Sequence, residues 1–189
     1  MNIEAWIGCN SAKKIHRVVV VGCGGSGKSF VARGIARALK LPVIHLDDIF
    51  FDNAWNPLPR SQFEEAQRIL VAGGRWVIDG NYVSTMPIRL AVADTVVVMD
   101  YSTATALWGV FQRWWKHRSG QHADGVYVRV TVDFVRYVAR FRKHSRPRMM
   151  QTIAEHARHA EVVHLPNRAA ARRFLAAIDT AMASDGEAP

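Results

Sequence analysis

Cysteine is almost missing from this chain: only Cys9 and Cys23 occur in 189 residues. Two cysteines without a Cys/His cluster exclude a disulfide scaffold and a zinc module. Cys23 sits in a glycine-rich turn that a disulfide would distort, so reduced thiols and a cytoplasmic setting are expected. Long apolar runs are missing too. None approaches a bilayer-spanning length, and Met1-Asn2-Ile3-Glu4 lacks the basic start and apolar stretch of a signal peptide. No membrane partner is expected. Repeats and low-complexity tracts are absent. Acids are in short supply, 16 against 25 Lys and Arg, giving a net charge of +9. The imbalance is local: residues 108–148 hold ten Lys/Arg and two acids, +8 in all, which leaves +1 for the rest. A basic patch confined to one segment points to an anionic ligand there, nucleotide phosphate or nucleic acid.

What is present is more specific. Apolar residues make up 49% of the chain, enough for one folded domain with a core. Residues 22–29 read Gly-Cys-Gly-Gly-Ser-Gly-Lys-Ser, the G-x-x-x-x-G-K-[ST] pattern of a phosphate-binding loop. A β-branched run, Val18–Val21, precedes it, and a helical pattern with Val31, Ile35 and Leu39 on one face follows. In such a loop Gly22, Gly24, Gly25, Ser26 and Gly27 let backbone N–H groups converge on phosphate oxygens, aided by a helix N-terminus. Lys28 then reaches the β- and γ-phosphates of a nucleoside triphosphate, and the Ser29 hydroxyl ligates Mg²⁺. ATP and Mg²⁺ are the expected cofactors.

Along the chain, strands are expected at Val18–Val21, Val43–Leu46, Trp76–Ile78, Thr95–Met99 and Val162–Leu165. Helices are expected from Lys28 to Lys40, from a Ser61-x-x-Glu64 capping box to Gly73-Gly74, and from Ser102 or Thr103 to Arg118. A further helix is expected over Val130–Arg142, another starting at Pro147, and a last one capped by Asn167. A loop is expected after Asp47-Asp48. Residues 1–16 read as an arm, 17–183 as a single domain and 184–189 as a frayed tail. Strands alternating with helices imply a parallel sheet covered on both faces, a three-layer α/β architecture. Gly22–Ser29, Asp47/Asp48, Asp79 and Asp100 all fall at strand ends, so they are expected to converge on one cleft.

Several pieces in this order carry a family resemblance: Gly22–Ser29, His45-Leu46-Asp47, Trp55 with Pro57 and Arg60, Trp76 to Tyr82, Arg89 with Ala93-Asp94, and Arg142 to Pro147. Together they resemble the DNA topology modulation protein group of bacterial P-loop proteins, within the adenylate-kinase-like superfamily. The resemblance spans residues 17–175. It implies a P-loop kinase fold with five parallel strands in order 2-3-1-4-5 and a mobile basic helical lid at about residues 113–148. It also implies that lid arginines, here Arg113 and Arg118, contact nucleotide phosphates. One departure matters. Val83-Ser84-Thr85 follow Asp79-Gly80-Asn81-Tyr82 where adenylate kinases place an Arg that grips the acceptor phosphate, and none comes until Arg89. That argues against AMP as acceptor.

The expected roles follow. Lys28, Asp47 and Arg113 are the catalytic candidates. Asp79, after Val77-Ile78, is expected to hold a Mg²⁺-bound water beside Ser29, or to act as a turn carboxylate before Gly80. Asp47 is favoured over Asp48 for binding or deprotonating an acceptor hydroxyl. Arg60 and Arg89 are further acceptor-binding candidates, although Arg89 could instead pair with Asp94. Arg113 is either a transition-state cation or part of a solvated helix face. Arg146 and Arg148 reach phosphate or form a structural salt bridge. His45, Trp114 and Trp115 are expected to pack, the two tryptophans half-buried. The favoured reading is a Mg²⁺-dependent kinase for a small-molecule or nucleotide acceptor. The alternative is a nucleic-acid-associated ATPase or DNA topology regulator using the 108–148 surface, less favoured because aromatic residues interrupt the charged stripe.

Overall fold

A computed structural model describes residues 15–52, 56–116 and 131–185. Five strands form one parallel sheet: β1 (Arg17–Gly22), β2 (Val43–His45), β3 (Trp76–Asp79), β4 (Thr95–Met99) and β5 (Glu161–Leu165). Their spatial order is 2-3-1-4-5, as the sequence reading expected. Seven helices accompany them among the described residues: α1 (Lys28–Leu39), α2 (Leu46–Phe50), α3 (Arg60–Val71), α4 (Met86–Leu90), α5 (Thr103–Lys116), α6 (Val132–His156) and α7 (Arg168–Asp185).

The side-chain alternation of β1 sorts the layers. Val18 and Val20 face one core with Val31, Ile35 and Leu39 of α1 and Phe174 and Ile178 of α7. Val19 and Val21 face the other, with Phe63 of α3, Met86 and Leu90 of α4, Ala106 and Val110 of α5, and Val138 and Phe141 of α6. Both faces of β1 are therefore dry, which its unbroken valine run requires. Because β1 is central, the loop that leaves it opens at the middle of the sheet's carboxyl edge.

Four local expectations need correction. The residues after β2 form the short helix α2 rather than a loop; Leu46 is fully buried and fixes that turn. The capping box at Ser61 does not form. Helix α3 begins at Arg60 after Pro59 without a side-chain cap, and Glu64 instead accepts from Arg60 Nε at 2.8 Å. The two helices expected around residue 147 are one, α6, with Pro147 inside it. Proline removes one backbone hydrogen bond there. Buried Val138 and Phe141 before it and Met149 and Ile153 after it pin both halves to the same core. Arg146 adds a bidentate pair to Asp100 at 2.6 and 2.8 Å, so it serves as a structural salt bridge and not as a phosphate ligand. Trp115 is 60% exposed rather than half-buried, whereas Trp114, 44% exposed, is half-buried as expected. Ala106 and Val110 take the inner face of α5, and the outer rings of Trp108, Phe111, Trp114 and Trp115 lie against one another.

Two caps match their expectation: Ser102 Oγ accepts from the Thr105 amide, and Asn167 Oδ1 from the Ala170 amide. The stretch from 117 to 130, which includes Arg118 and the middle of the expected lid, lies outside the described residues, as do Trp55, Cys9, residues 1–14 and residues 186–189.

Candidate functional site

The loop between β1 and α1 has the backbone of a phosphate cradle. Gly25 and Gly27 adopt φ of 78° and 84°, and Gly22 adopts 147°. Such angles favour glycine. A Cβ on Gly22 would lie 2.5 Å from the Met99 carbonyl oxygen, and one on Gly25 2.3 Å from that of Ala106. Gly27 has no such neighbour and faces open space. The Ser26 hydroxyl is buried and has no hydrogen-bond partner among the described residues. A buried orphan hydroxyl beside a concave turn is what an anion with several acceptor oxygens would satisfy. Cys23, also in this turn, is a free thiol, and burial pushes its pKa up to about 11.

A cleft of about 640 Å³ opens beside the loop. It brings together Gly24, Gly25, Gly27, Lys28, Ser29, Asp47, Asp79 and Arg113 from the expected set. Each arrives on a different element. Lys28 and Ser29 start α1, Asp79 ends β3, Asp47 lies in α2 just past β2, and Arg113 comes from α5. The parallel sheet gathers them because all these strands end on the same side.

Ser29 Oγ donates to Asp79 Oδ2 at 2.8 Å. Asp79 is 4% exposed, and His45 Nδ1 donates to its other oxygen at 2.5 Å. That bond, first among the causes, raises the His45 pKa above its usual value. His45 is thus a neighbour of the cleft acid, not only a packing residue. Lys28 Nζ donates to the Cys23 carbonyl at 3.1 Å. Burial lowers the Lys28 pKa, and Asp79 and Asp47 oppose that shift. Burial likewise lowers the Arg113 pKa, with Asp47 opposing it. The Arg113 guanidinium stands 5.9 Å from the centroid of the Phe134 ring.

Three residues of the cleft were given no site role by the sequence. Tyr82 donates its hydroxyl to Asp47 Oδ1 at 2.7 Å, and its ring packs on Phe50 and Phe63. Burial, then the charge of Asp47, raises the Tyr82 pKa. Asn81 brackets the main chain of Gly22: its Oδ1 accepts from the Gly22 amide at 2.9 Å and its Nδ2 donates to the Gly22 carbonyl at 2.7 Å. Arg168, at the start of α7, lines this cleft and a second hollow of about 240 Å³ beside Ser26 and Tyr101. The sequence signals for the first two were their place just after Asp79 at a strand end and their membership of the Asp79–Tyr82 motif.

The remaining candidates lie elsewhere. Arg60 is exposed and pairs with Glu64, outside the cleft lining. Asp48 is exposed and does not line the cleft. Arg89 is fully buried beneath the turn that follows β3 and does not pair with Asp94, whose Oδ2 accepts from the amides of His16 and Arg17. Gly22 and Ser26 do not line the cleft; Ser26 lines the second hollow, and its amide donates to the Cys23 carbonyl at 3.2 Å. No group of three or more His, Cys, Asp or Glu able to hold a metal occurs among the described residues. A hydroxyl next to one carboxylate suits Mg²⁺ held mainly by nucleotide phosphates and water rather than by a protein cage.

No described helix is long and apolar enough to cross a membrane. No protein-family model matches the chain, and no curated protein matches it. Solved structures do. The chain is similar to a shikimate kinase from Acinetobacter baumannii in complex with shikimate, at 15% identity and a TM-score of 0.59, over 94% of this chain and 99% of that one. It is similar to a shikimate kinase from Bacteroides thetaiotaomicron at 14% identity and a TM-score of 0.53, over 88% and 97%. A gluconokinase from Sinorhizobium meliloti 1021 gives 16% identity and a TM-score of 0.51, over 91% and 94%. At these identities the likeness establishes the P-loop kinase fold.

Proposed function

We propose that the protein is a Mg²⁺-dependent kinase that moves the γ-phosphoryl group of ATP to a hydroxyl of a small-molecule or nucleotide acceptor. The observation that carries this reading is the Ser29–Asp79 contact at the mouth of a glycine-lined loop, with Lys28 beside it and Asp47 in the same cleft. Phosphoryl transfer asks a protein for alignment and charge rather than covalent chemistry, and this set supplies both.

The Gly24–Ser29 loop and the Ser26 hydroxyl fit a triphosphate, and Ser29 and Asp79 fit its Mg²⁺. The metal draws charge from the phosphate oxygens when bound. Lys28 adds a fixed cation at the transferring group. Asp47 orients the acceptor hydroxyl and takes its proton, and Tyr82 holds one Asp47 oxygen so that the other faces the acceptor. Arg113, poised over Phe134, stabilises charge that builds on the phosphoryl oxygens. The family resemblance assigns Arg118, outside the described residues, the same role. Asp48, Arg60 and Arg89 do not enter this scheme by direct contact. The hollow bordered by Tyr101 and Arg168 accommodates the nucleoside end.

Within the P-loop kinases, the His45-Leu46-Asp47 and Asp79–Tyr82 motifs favour the DNA topology modulation protein group, and a cytoplasmic setting suits free ATP. The decisive experiment is calorimetry with MgATP, followed by a screen of nucleoside monophosphates and hydroxylated metabolites for stimulated ADP release. Stimulation by one acceptor is the expected result. Absence of MgATP binding by folded protein overturns the reading. The exposed cations Arg136, Arg140, Lys143 and Arg148 of α6 keep the nucleic-acid alternative testable: tight DNA binding with a steep salt dependence and no acceptor stimulation would favour it.

A further inference from the structure

Arg89 is 0% exposed, yet no carboxylate pairs with it among the described residues. Its Nη1 donates to Gln67 Oε1 at 3.0 Å. Its Nη2 donates to the carbonyls of Gly80 and Asn81 at 2.8 and 2.6 Å. Nε has no partner. Burial lowers its pKa to about 9, which still leaves it charged at neutral pH. A lone buried cation is costly and is not the choice of a packing core. What it holds therefore matters.

It holds a strained turn whose nearby backbone bonds, Gly80 N–H to the Val20 carbonyl and Thr85 N–H to the Tyr82 carbonyl, leave the Gly80 and Asn81 carbonyls to the arginine. Gly80 has φ of 142°, and Tyr82, which is not glycine, has φ of 28°. Such a conformation persists only where surrounding structure imposes it. Gln67, also 0% exposed, donates to Thr85 Oγ1 at 2.8 Å, and Thr85 Oγ1 donates to the Tyr82 carbonyl at 3.2 Å. Three consecutive carbonyls, those of Gly80, Asn81 and Tyr82, are thus gripped from the protein interior. The side chains of the same turn work on the cleft: Asn81 brackets Gly22 and Tyr82 binds Asp47.

We infer that Arg89, seated by Gln67, is a positioning residue that locks the Gly80–Tyr82 turn and so ties the phosphate loop, through Asn81, to the acceptor acid, through Tyr82. The geometry stands by itself; its catalytic consequence rests on the proposed kinase reading. An arginine suits the task because its planar fork serves several oxygens at once, which a lysine does not.

The test compares Arg89→Lys, Arg89→Met and Gln67→Met with the parent protein. Amide hydrogen exchange by NMR follows Gly22, whose N–H rests on Asn81, against Val19 and Val97 in the sheet core. Calorimetry follows MgADP binding. The expected result is Gly22 exchange at least tenfold faster, Val19 and Val97 changed less than twofold, and a MgADP Kd raised at least fivefold. If all three amides accelerate together, or if Gly22 keeps its protection, the residue is only a core support and the inference falls. Should Arg89→Met fail to fold, Gln67→Met removes a partner of Arg89 and leaves the cation in place. A parent protein that binds no MgADP removes the kinase reading, and the Gly22 exchange still decides the positioning role.

Discussion

The hydroxyl of Tyr82 donates to Asp47 Oδ1 at 2.7 Å, joining the turn after β3 to the helix after β2. In the proposed reaction this bond leaves the other Asp47 oxygen to meet the acceptor. Asp47→Asn keeps the shape and removes the base. Acceptor-dependent turnover should fall by about 10²–10⁴ while ATP affinity stays within about twofold. Steady-state kinetics with the stimulating acceptor, set beside ATP calorimetry, reads both. A loss confined to ATP affinity would remove Asp47 from the acceptor side.

Lys28→Met should lower phosphoryl transfer by about 10² or more, because a fixed cation leaves the transferring group. The fold should survive, since among the described residues the Lys28 side chain makes one hydrogen bond to protein, to the Cys23 carbonyl. Circular dichroism and a turnover assay on the same sample check the pair of outcomes.

Ser29→Ala and Asp79→Asn should each raise the Mg²⁺ concentration needed for half-maximal ATP turnover by about tenfold, consistent with one or two protein groups supporting a hydrated Mg²⁺. A Mg²⁺ titration at fixed ATP measures it. An unchanged midpoint in both variants would remove the Ser29–Asp79 pair from metal binding.

Gly109→Ala should improve helix propensity yet weaken ATP binding about tenfold or more. The added Cβ would lie 2.1 Å from the Gly25 carbonyl oxygen, so the phosphate loop or α5 must shift where the two meet. Calorimetry on the variant, with its thermal midpoint as control, separates the two effects.

The Asp100–Arg146 pair should show in acid. Arg146, through its hydrogen bond and charge, holds the Asp100 carboxyl below its ordinary value. That stability is present above the unfolded carboxylate pKa of about 3.9 and is lost as pH falls through the folded value. Arg146→Met should cost about 1.5–3 kcal/mol at neutral pH and should lose less further stability than the parent between about pH 5 and about pH 2. Urea unfolding across that range tests both the size and the sign.

The cradle was legible because its chemistry is local: glycines, Lys28 and Ser29 are adjacent in the chain, and strand and helix patterns flank them. Asp79 and Asp47 were legible from their place at strand ends. Asn81 and Tyr82 were visible as part of a motif, but their contacts were not, because their partners Gly22 and Asp47 are 59 and 35 residues away and only sheet pairing brings them near. His45 alternates within a strand as a packing residue does, and its bond to Asp79 depends on β2 lying beside β3. Arg89 had the charge of a ligand contact and the burial of a core residue, and sequence carries no sign of the second. Pro147 was read as a helix start since a lone proline usually marks one; long-range contacts on both sides of it carried the helix through.

The sealed thiol of Cys23 gives the molecule an internal clock. Burial raises its pKa to about 11 and Val138 of α6 covers it, so alkylation should need the loop and that helix to part. Alkylation at Cys23, told apart from Cys9 by peptide mapping, should therefore follow breathing of that segment without an engineered probe, and a ligand lodged in the loop should slow the hands.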